Sequence, residues 1–179
     1  WQPDVDADFR PYDTNGYWVY SDDGWTWVSN YSWGWAAFHY GRWFYDDNYG
    51  WLWMPGDEWA PAWVTWGQSG DYYGWAPMPP RVNYGGNWRP RNEDWNFVPA
   101  QNITRVNVNV YLVRNNITVI NHATIIDNGH GDNRGSNKTI YNRGPRVDDV
   151  EHRGNLRVTV YKVNGGARPG QSLGNNQVT

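Results

Sequence analysis

Twelve of the chain's 15 tryptophans fall between Tyr17 and Pro80, and they fall in a repeat. Trp18, Trp43 and Trp66 each open a short apolar run. A polar turn follows, then a Gly-Trp pair: Gly24-Trp25, Gly50-Trp51 and Gly74-Trp75. The first two copies continue as W-x-W, at Trp25/Trp27 and Trp51/Trp53, and add Trp33 and Trp59 at matching distance. The third copy reads as stopping early, with Pro77 in place of the second Trp. Such a unit predicts a β-hairpin. Aromatic and β-branched residues suit a pleated, half-buried surface, and the Asp, Asn and Gly of SDDG and DDNYG supply turn chemistry. Two Trp side chains two residues apart share one sheet face. Stacked copies would therefore present a ladder of indoles, each burying roughly 150–250 Å². Trp18, Trp25, Trp27, Trp43, Trp51, Trp53 and Trp75 are read as that structural core.

The rest of the composition fits strands better than helices. Only 39% of the 179 residues are hydrophobic, and the aromatic fraction is 18%, so apolar area is concentrated in a few large rings. With 20 Gly, 11 Pro and little Leu, the chain lacks the content and 3.6-residue period of a helical bundle. No stretch approaches the ~20 apolar residues of a membrane span. The absence of Cys excludes disulfides and thiolate metal sites. Numbering from Trp1 suggests either a processed mature chain or a trimmed one, and removal of an export signal is the favoured expectation. N-x-S/T sequons at Asn30, Asn102, Asn116 and Asn137 are weak signals in an Asn-rich sequence.

Five domain-scale segments are expected: an arm over 1–16, the Trp-hairpin domain over 17–80, a connector over 81–96, a second β domain over 97–163, and a tail over 164–179. The prolines of PMPP, residues 77–80, end the first sheet. In the second domain Val106, Val108 and Val110 alternate with Asn107 and Asn109, which reads as strand. NNITVINHATII reads as another strand or two, GHGDNRGSNK as a loop, and KTIYNRGP as a short strand. RVDDVEHRGN has Pro145, first-turn acids and Gly154 as a stop, the signals of a short helix. LRVTVYKV is read as the final strand, and the Gly/Asn-rich tail as a flexible end. The fold class expected is all-β, with at most one short helix.

The segment WGWAAFHYGRWFYDDNYGWLWMPGDEWAPAWVTW, followed by YYGWAPMPP, resembles a family of exported, Trp-rich bacterial proteins of unknown function. The shared features are H-Y-G-R-W, G-W-x-W-x-P-G, W-x-P-A-W-V-x-W and G-W-A-P-x-P-P, over roughly residues 10–80, with a looser likeness around N-R-G-P. Ala36-Ala37 departs from the family's tendency to Pro. The resemblance implies export to the periplasm, cell surface or exterior, and carries no catalytic residues.

The residues themselves offer little chemistry. Gly170-Gln171-Ser172-Leu173-Gly174 matches a nucleophile elbow, but such an elbow needs an acid and a His downstream, and five residues follow. His39, His122, His130 and His152 are scattered without zinc-site spacing. Asp4, Asp6 and Asp8 alternate as in a calcium loop, but Phe9 and Asn15 stand where Gly and Glu are needed. Asp22/Asp23, Asp46/Asp47 and Asp57/Glu58 lie in or beside turns. No catalytic residue, metal or cofactor is expected.

Charge is uneven: residues 1–100 hold 5 Lys/Arg against 13 Asp/Glu, and residues 101–179 hold 10 against 5, that is −8 and +5. The basic residues are dispersed, so nucleic acid is not expected as a partner. Two non-enzymatic functions fit. One is a structural module that self-associates at the cell surface as a homo-oligomer or head-to-tail filament, through open strand edges and complementary charge. The other is binding of a carbohydrate, such as peptidoglycan or exopolysaccharide, on an exposed row formed by Trp33, Trp35, Trp59, Trp63 and Trp66.

Overall fold

A computed structural model describes residues 1–114, 117–132, 139–165, 171, 173–174 and 177–178. It is built mostly of strands in antiparallel sheets, and the longest helix among the described residues is the eight-residue Val147–Gly154. Three hairpins form the Trp-rich half. They are β1 (Gly16–Ser21) with β2 (Gly24–Ser29), β3 (Tyr40–Asp46) with β4 (Gly50–Trp59), and β5 (Val64–Ser69) with β6 (Tyr72–Pro77). A helical turn, α1 (Gly34–Ala37), links the first two. In each hairpin two tryptophans face each other across the ladder: Trp18 and Trp27, Trp43 and Trp53, Trp66 and Trp75.

That register corrects the alignment of the third copy. Two residues nearer the turn, the first hairpin pairs Tyr20 with Trp25 and the second Tyr45 with Trp51. The third pairs Gln68 with Tyr73, so Trp75 matches Trp27 and Trp53, and Tyr73 stands where Trp25 and Trp51 stand. The copy is complete, with Tyr-x-Trp replacing Trp-x-Trp. The glycines mislead because they serve different needs. Gly24 and Gly50 take positive φ at the turns, as Gly70 does in the third hairpin. Gly74 lies inside β6, where an added Cβ would sit 2.4 Å from the Phe97 ring.

The indoles pack edge-on around Trp18. Its ring centroid lies 5.1 Å from Trp27, 4.7 Å from Trp66 and 5.3 Å from Trp75, which joins the first and third hairpins. The second hairpin centres on Trp43, within 5.3 Å of Phe9 and 5.7 Å of Phe38. The same cluster extends through Val98, Ile103, Val108 and Val150.

Segments beyond the connector complete these sheets. β7 (Asn96–Pro99) pairs with β6, and β8 (Thr124–Ile125) with β5. β9 (Gly129–Asp132) and β10 (Thr139–Asn142) form a separate hairpin. After α3 (Val147–Gly154), β11 (Val160–Val163) runs parallel to β1. β12 (Leu173–Gly174) and β13 (Gln177–Val178) then extend that sheet. The helix lies where expected, with Asp148 and Asp149 in its first turn. Pro145, however, precedes the Arg146 cap instead of opening the first turn, and Asn155 in left-handed conformation ends the helix one residue past the expected stop, Gly154, which is its last residue.

Two strand readings are overturned. Val106, Val108 and Val110 lie in a turn and a 3-10 segment, Val108–Tyr111, and only Val108 is buried. Alternation makes a strand only where a neighbouring ladder accepts it. Here Asn107 turns the chain (φ −117°, ψ 49°), and the first main-chain bond onto β7 comes at Val113, whose N–H donates to the Phe97 carbonyl. Ile117–Asn121 likewise forms a helical turn, α2, leaving only Thr124–Ile125 as strand. Within the expected loop GHGDNRGSNK, residues 129–132 are strand and 133–138 lie outside the described residues. The final strand is shorter than its alternating pattern, beginning at Val160.

Candidate functional site

The five tryptophans read as a carbohydrate row do not form one. Trp63 and Trp66 are buried, at 3% and 0% exposure. Trp66 packs in the Trp18 cluster, and Trp63 lies under the Arg42 guanidinium, 3.5 Å from its ring centroid, while its N–H donates to the His39 carbonyl. Trp33 is half-buried and sandwiched between Tyr31 and Phe38, Trp59 stacks on His39, and Trp35 is half-buried in α1. Sequence spacing missed this because α1 turns the chain between Trp33 and Trp35. Of the expected core, Trp18, Trp25, Trp27, Trp43 and Trp75 are buried, while Trp51 and Trp53 are half-buried.

The hairpins repeat one device and expose it once. Tyr20 and Trp25 meet edge to face at 5.5 Å and 74°; Tyr45 and Trp51 meet at 5.5 Å and 75°. In the first hairpin the segment Arg143–Pro145 covers the pair. The Arg143 carbonyl accepts from the Trp25 main-chain N–H, and the Pro145 carbonyl accepts from the indole N–H at 2.9 Å. Gly144 touches the ring so closely that a Cβ there would lie 2.7 Å from Trp25 Cδ1. In the second hairpin no main-chain segment among the described residues covers the pair in this way: the Arg91 guanidinium lies over Tyr45 at 5.9 Å, Tyr45 is 48% exposed, Trp51 is half-buried, and its indole N–H has no acceptor among the described residues.

Instead the second pair lines a cleft of about 470 Å³, within the usual size range of small-molecule sites. Tyr49, 63% exposed at the hairpin turn, adds a third ring. The turn is built by Asp46, whose carboxylate accepts from the N–H groups of Asn48 and Tyr49. The opposite wall is the N-terminal arm, including Gln2, Asp6, Asp8 and Arg10, with Arg114 closing one side. Two contacts tie the arm down. Trp1 and Trp53 exchange main-chain hydrogen bonds at 2.8 and 2.9 Å, and the Gln2 amide donates to the Tyr49 carbonyl. Beneath the cleft, the fully buried Asp13 accepts from Arg114 at 2.7 Å and lies 3.7 Å from Arg10. Burial pushes the Asp13 carboxyl above its ordinary pKa, and the Arg114 and Arg10 guanidinium groups offset that rise only in part.

The other residues singled out by sequence have structural surroundings. Buried His39 donates from Nδ1 to the Ala60 carbonyl, and its Nε2 accepts from the Gln171 amide, which also donates to the Trp27 carbonyl. The Gln171 carbonyl oxygen in turn accepts from Ser29 N–H. Gln171 thus clips the C-terminal segment to the first hairpin; Gly170 and Ser172 of the same motif lie outside the described residues. His122 bonds to the Thr118 carbonyl and His130 packs on Tyr141. Among the described residues no group of three His, Asp or Glu side chains is placed to hold a metal ion, and no helix is long and apolar enough to cross a membrane.

Residues 1–82 match the model of a family of unknown function, DUF6600. No curated protein and no solved structure matches the chain. The matched region contains the three hairpins and most of the cleft, and stops short of Arg114 and of the segment that covers Trp25.

Proposed function

We propose that this chain is a non-enzymatic, exported glycan-binding module whose site is the cleft between the N-terminal arm and the second hairpin. One observation carries the reading. The Tyr-Trp pair that the first hairpin hides beneath Arg143–Pro145 is left open in the second, at the same ring geometry and beside polar side chains. A sugar ring offers what the covering segment offers Trp25: an apolar face to lie on the indole and an oxygen to accept its N–H. Asp6, Asp8 and the carbonyl of Gln2 supply partners for hydroxyl groups. Export rests on the resemblance of the Trp-rich motifs.

Self-association through strand edges has less support. Pro61 and Arg143 carbonyls accept from the outer N–H groups of β2, Trp1 pairs with β4, and β13 pairs with β11 in the same chain. The test is calorimetric titration with a panel of neutral hexose and hexosamine oligosaccharides. Binding is expected, and Trp51→Ala and Tyr49→Ala should each weaken it at least about tenfold, a loss of about 1.4 kcal/mol. The urea midpoint of Tyr49→Ala should stay close to that of the parent. Trp51 also packs against the indole core, so Trp51→Ala should lower it, and its binding is read well below its own transition. Absence of binding across the panel, or undiminished binding by Trp51→Ala, overturns the proposal.

A further inference from the structure

We infer that the cleft prefers a cationic glycan, a hexosamine chain carrying free amines, over its neutral or acidic counterparts; the inference rests on the glycan-binding reading above. Two independent features of the cleft select for positive charge. The first is the balance of its charged groups. Arg114 and Arg10 converge on buried Asp13, and Arg10 also donates to the Glu93 carbonyl, so both cations are held by the protein itself. Arg91, beside Tyr45, is paired with Asp94 and Glu93 at 2.9 and 3.3 Å. Asp6 and Asp8 line the same cleft, are exposed, and take part in no ion pair among the described residues. Against Arg10 and Arg114 stand Asp6, Asp8 and Asp13, which leaves one negative charge in excess.

The second feature is the aromatic wall. The faces of Tyr49 and Trp51 carry the negative side of the ring quadrupole, which attracts an ammonium group within about 6 Å; at Tyr45 the Arg91 guanidinium already lies over the ring, at 5.9 Å. This fold already uses such contacts, with Arg42 at 3.5 Å from the Trp63 ring centroid. A free amine on a pyranose would sit between the rings and the two carboxylates, while its ring CH face lies on Trp51. An N-acetyl group at that position removes the charge, and with it the ion-pair and cation–π part of both contacts. A uronate carboxylate is repelled by both.

The experiment compares a glucosamine tetramer with its fully N-acetylated form by calorimetry on the full chain, at about pH 6 so that the amines are protonated, in low salt. The amine form should bind about tenfold tighter, the sum of two modest exposed charge contacts. Raising salt to about 0.5 M should remove most of that advantage. The double variant Asp6→Asn/Asp8→Asn should lose most of the amine preference, keeping only the smaller part that the aromatic wall supplies. Equal or tighter binding of the acetylated form by the intact chain overturns the charge preference and leaves the glycan site standing. An amine preference undiminished in the double variant overturns the role of the two carboxylates. Binding of neither form, or of any other panel member, overturns both readings together.

Discussion

A buried indole brings a large apolar surface and one N–H that needs an acceptor. Trp25, Trp43, Trp53, Trp63 and Trp75 donate to main-chain carbonyls, those of Pro145, Ala37, Tyr40, His39 and Tyr12. Trp18, Trp27 and Trp66 bury theirs without an acceptor among the described residues. The balance still favours burial: roughly 150–250 Å² at about 25 cal/mol per Å² is ~4–6 kcal/mol, against ~1–3 kcal/mol for the unmet donor. Trp18, whose ring meets those of Tyr12, Trp27, Trp66 and Trp75, should therefore be the costliest to lose. Trp18→Ala is expected to reduce unfolding free energy by about 3–5 kcal/mol in urea titration; a loss under ~1 kcal/mol would mean that the cluster does not hold the hairpins together. His39 sets the pH response. Burial holds its pKa below the ordinary value, with hydrogen bonds from its surroundings opposing that shift only partly. The unfolded chain takes up a proton near about pH 6.5 that the folded chain refuses. Stability should be full above that pH and fall as pH drops toward the lowered folded value. Urea midpoints at about pH 7.5 and about pH 5 would read this slope. His39→Gln should flatten it, and an unchanged slope in that variant would exclude His39 as the cause.

At the scale of elements, what was readable was local. Alternating aromatics around Asp/Gly turns gave the hairpins, the third read as cut short, and first-turn acids beside a proline gave α3, because both patterns act through neighbouring residues. The segments misread as strands, around Val106–Val110 and Ile117–Asn121, have the same alternation or β-branched content. Whether such a segment becomes a strand depends on a partner ladder that spacing cannot reveal. Gly144 is an element-level hinge of this kind: its φ of +82° and its contact with Trp25 seat the covering segment on the first hairpin. Gly144→Ala should cost about 1–3 kcal/mol through the left-handed backbone alone. It should also lift the segment from Trp25, seen as a red shift of tryptophan fluorescence on top of the lowered urea midpoint. An unshifted spectrum at parental stability would show that the segment does not seal that pair.

For the molecule as a whole, the hairpins and the later strands are interdependent. β11 pairs with β1, Arg143 caps β2, and Val98, Ile103 and Val150 share a core with the indoles. A fragment ending at residue 96, which keeps the whole Trp-rich tract, should accordingly lack a cooperative urea transition by circular dichroism, while the full chain shows a single one. A sigmoidal transition in the fragment with parental midpoint would show that the Trp-rich half folds alone. The cleft was the least readable part. Asp6 and Asp8 stood out only as a failed calcium pattern, and Tyr45, Tyr49 and Trp51 as ordinary hairpin residues. By itself the sequence determined the hairpins, their turns and the Trp-rich character of the core, since strand and turn preferences are settled within a few residues. Only the tertiary structure decided which of two matching Tyr-Trp pairs is sealed and which is open. The indole of Trp25 meets its acceptor 120 residues away, at Pro145, and no local pattern encodes a contact over that distance.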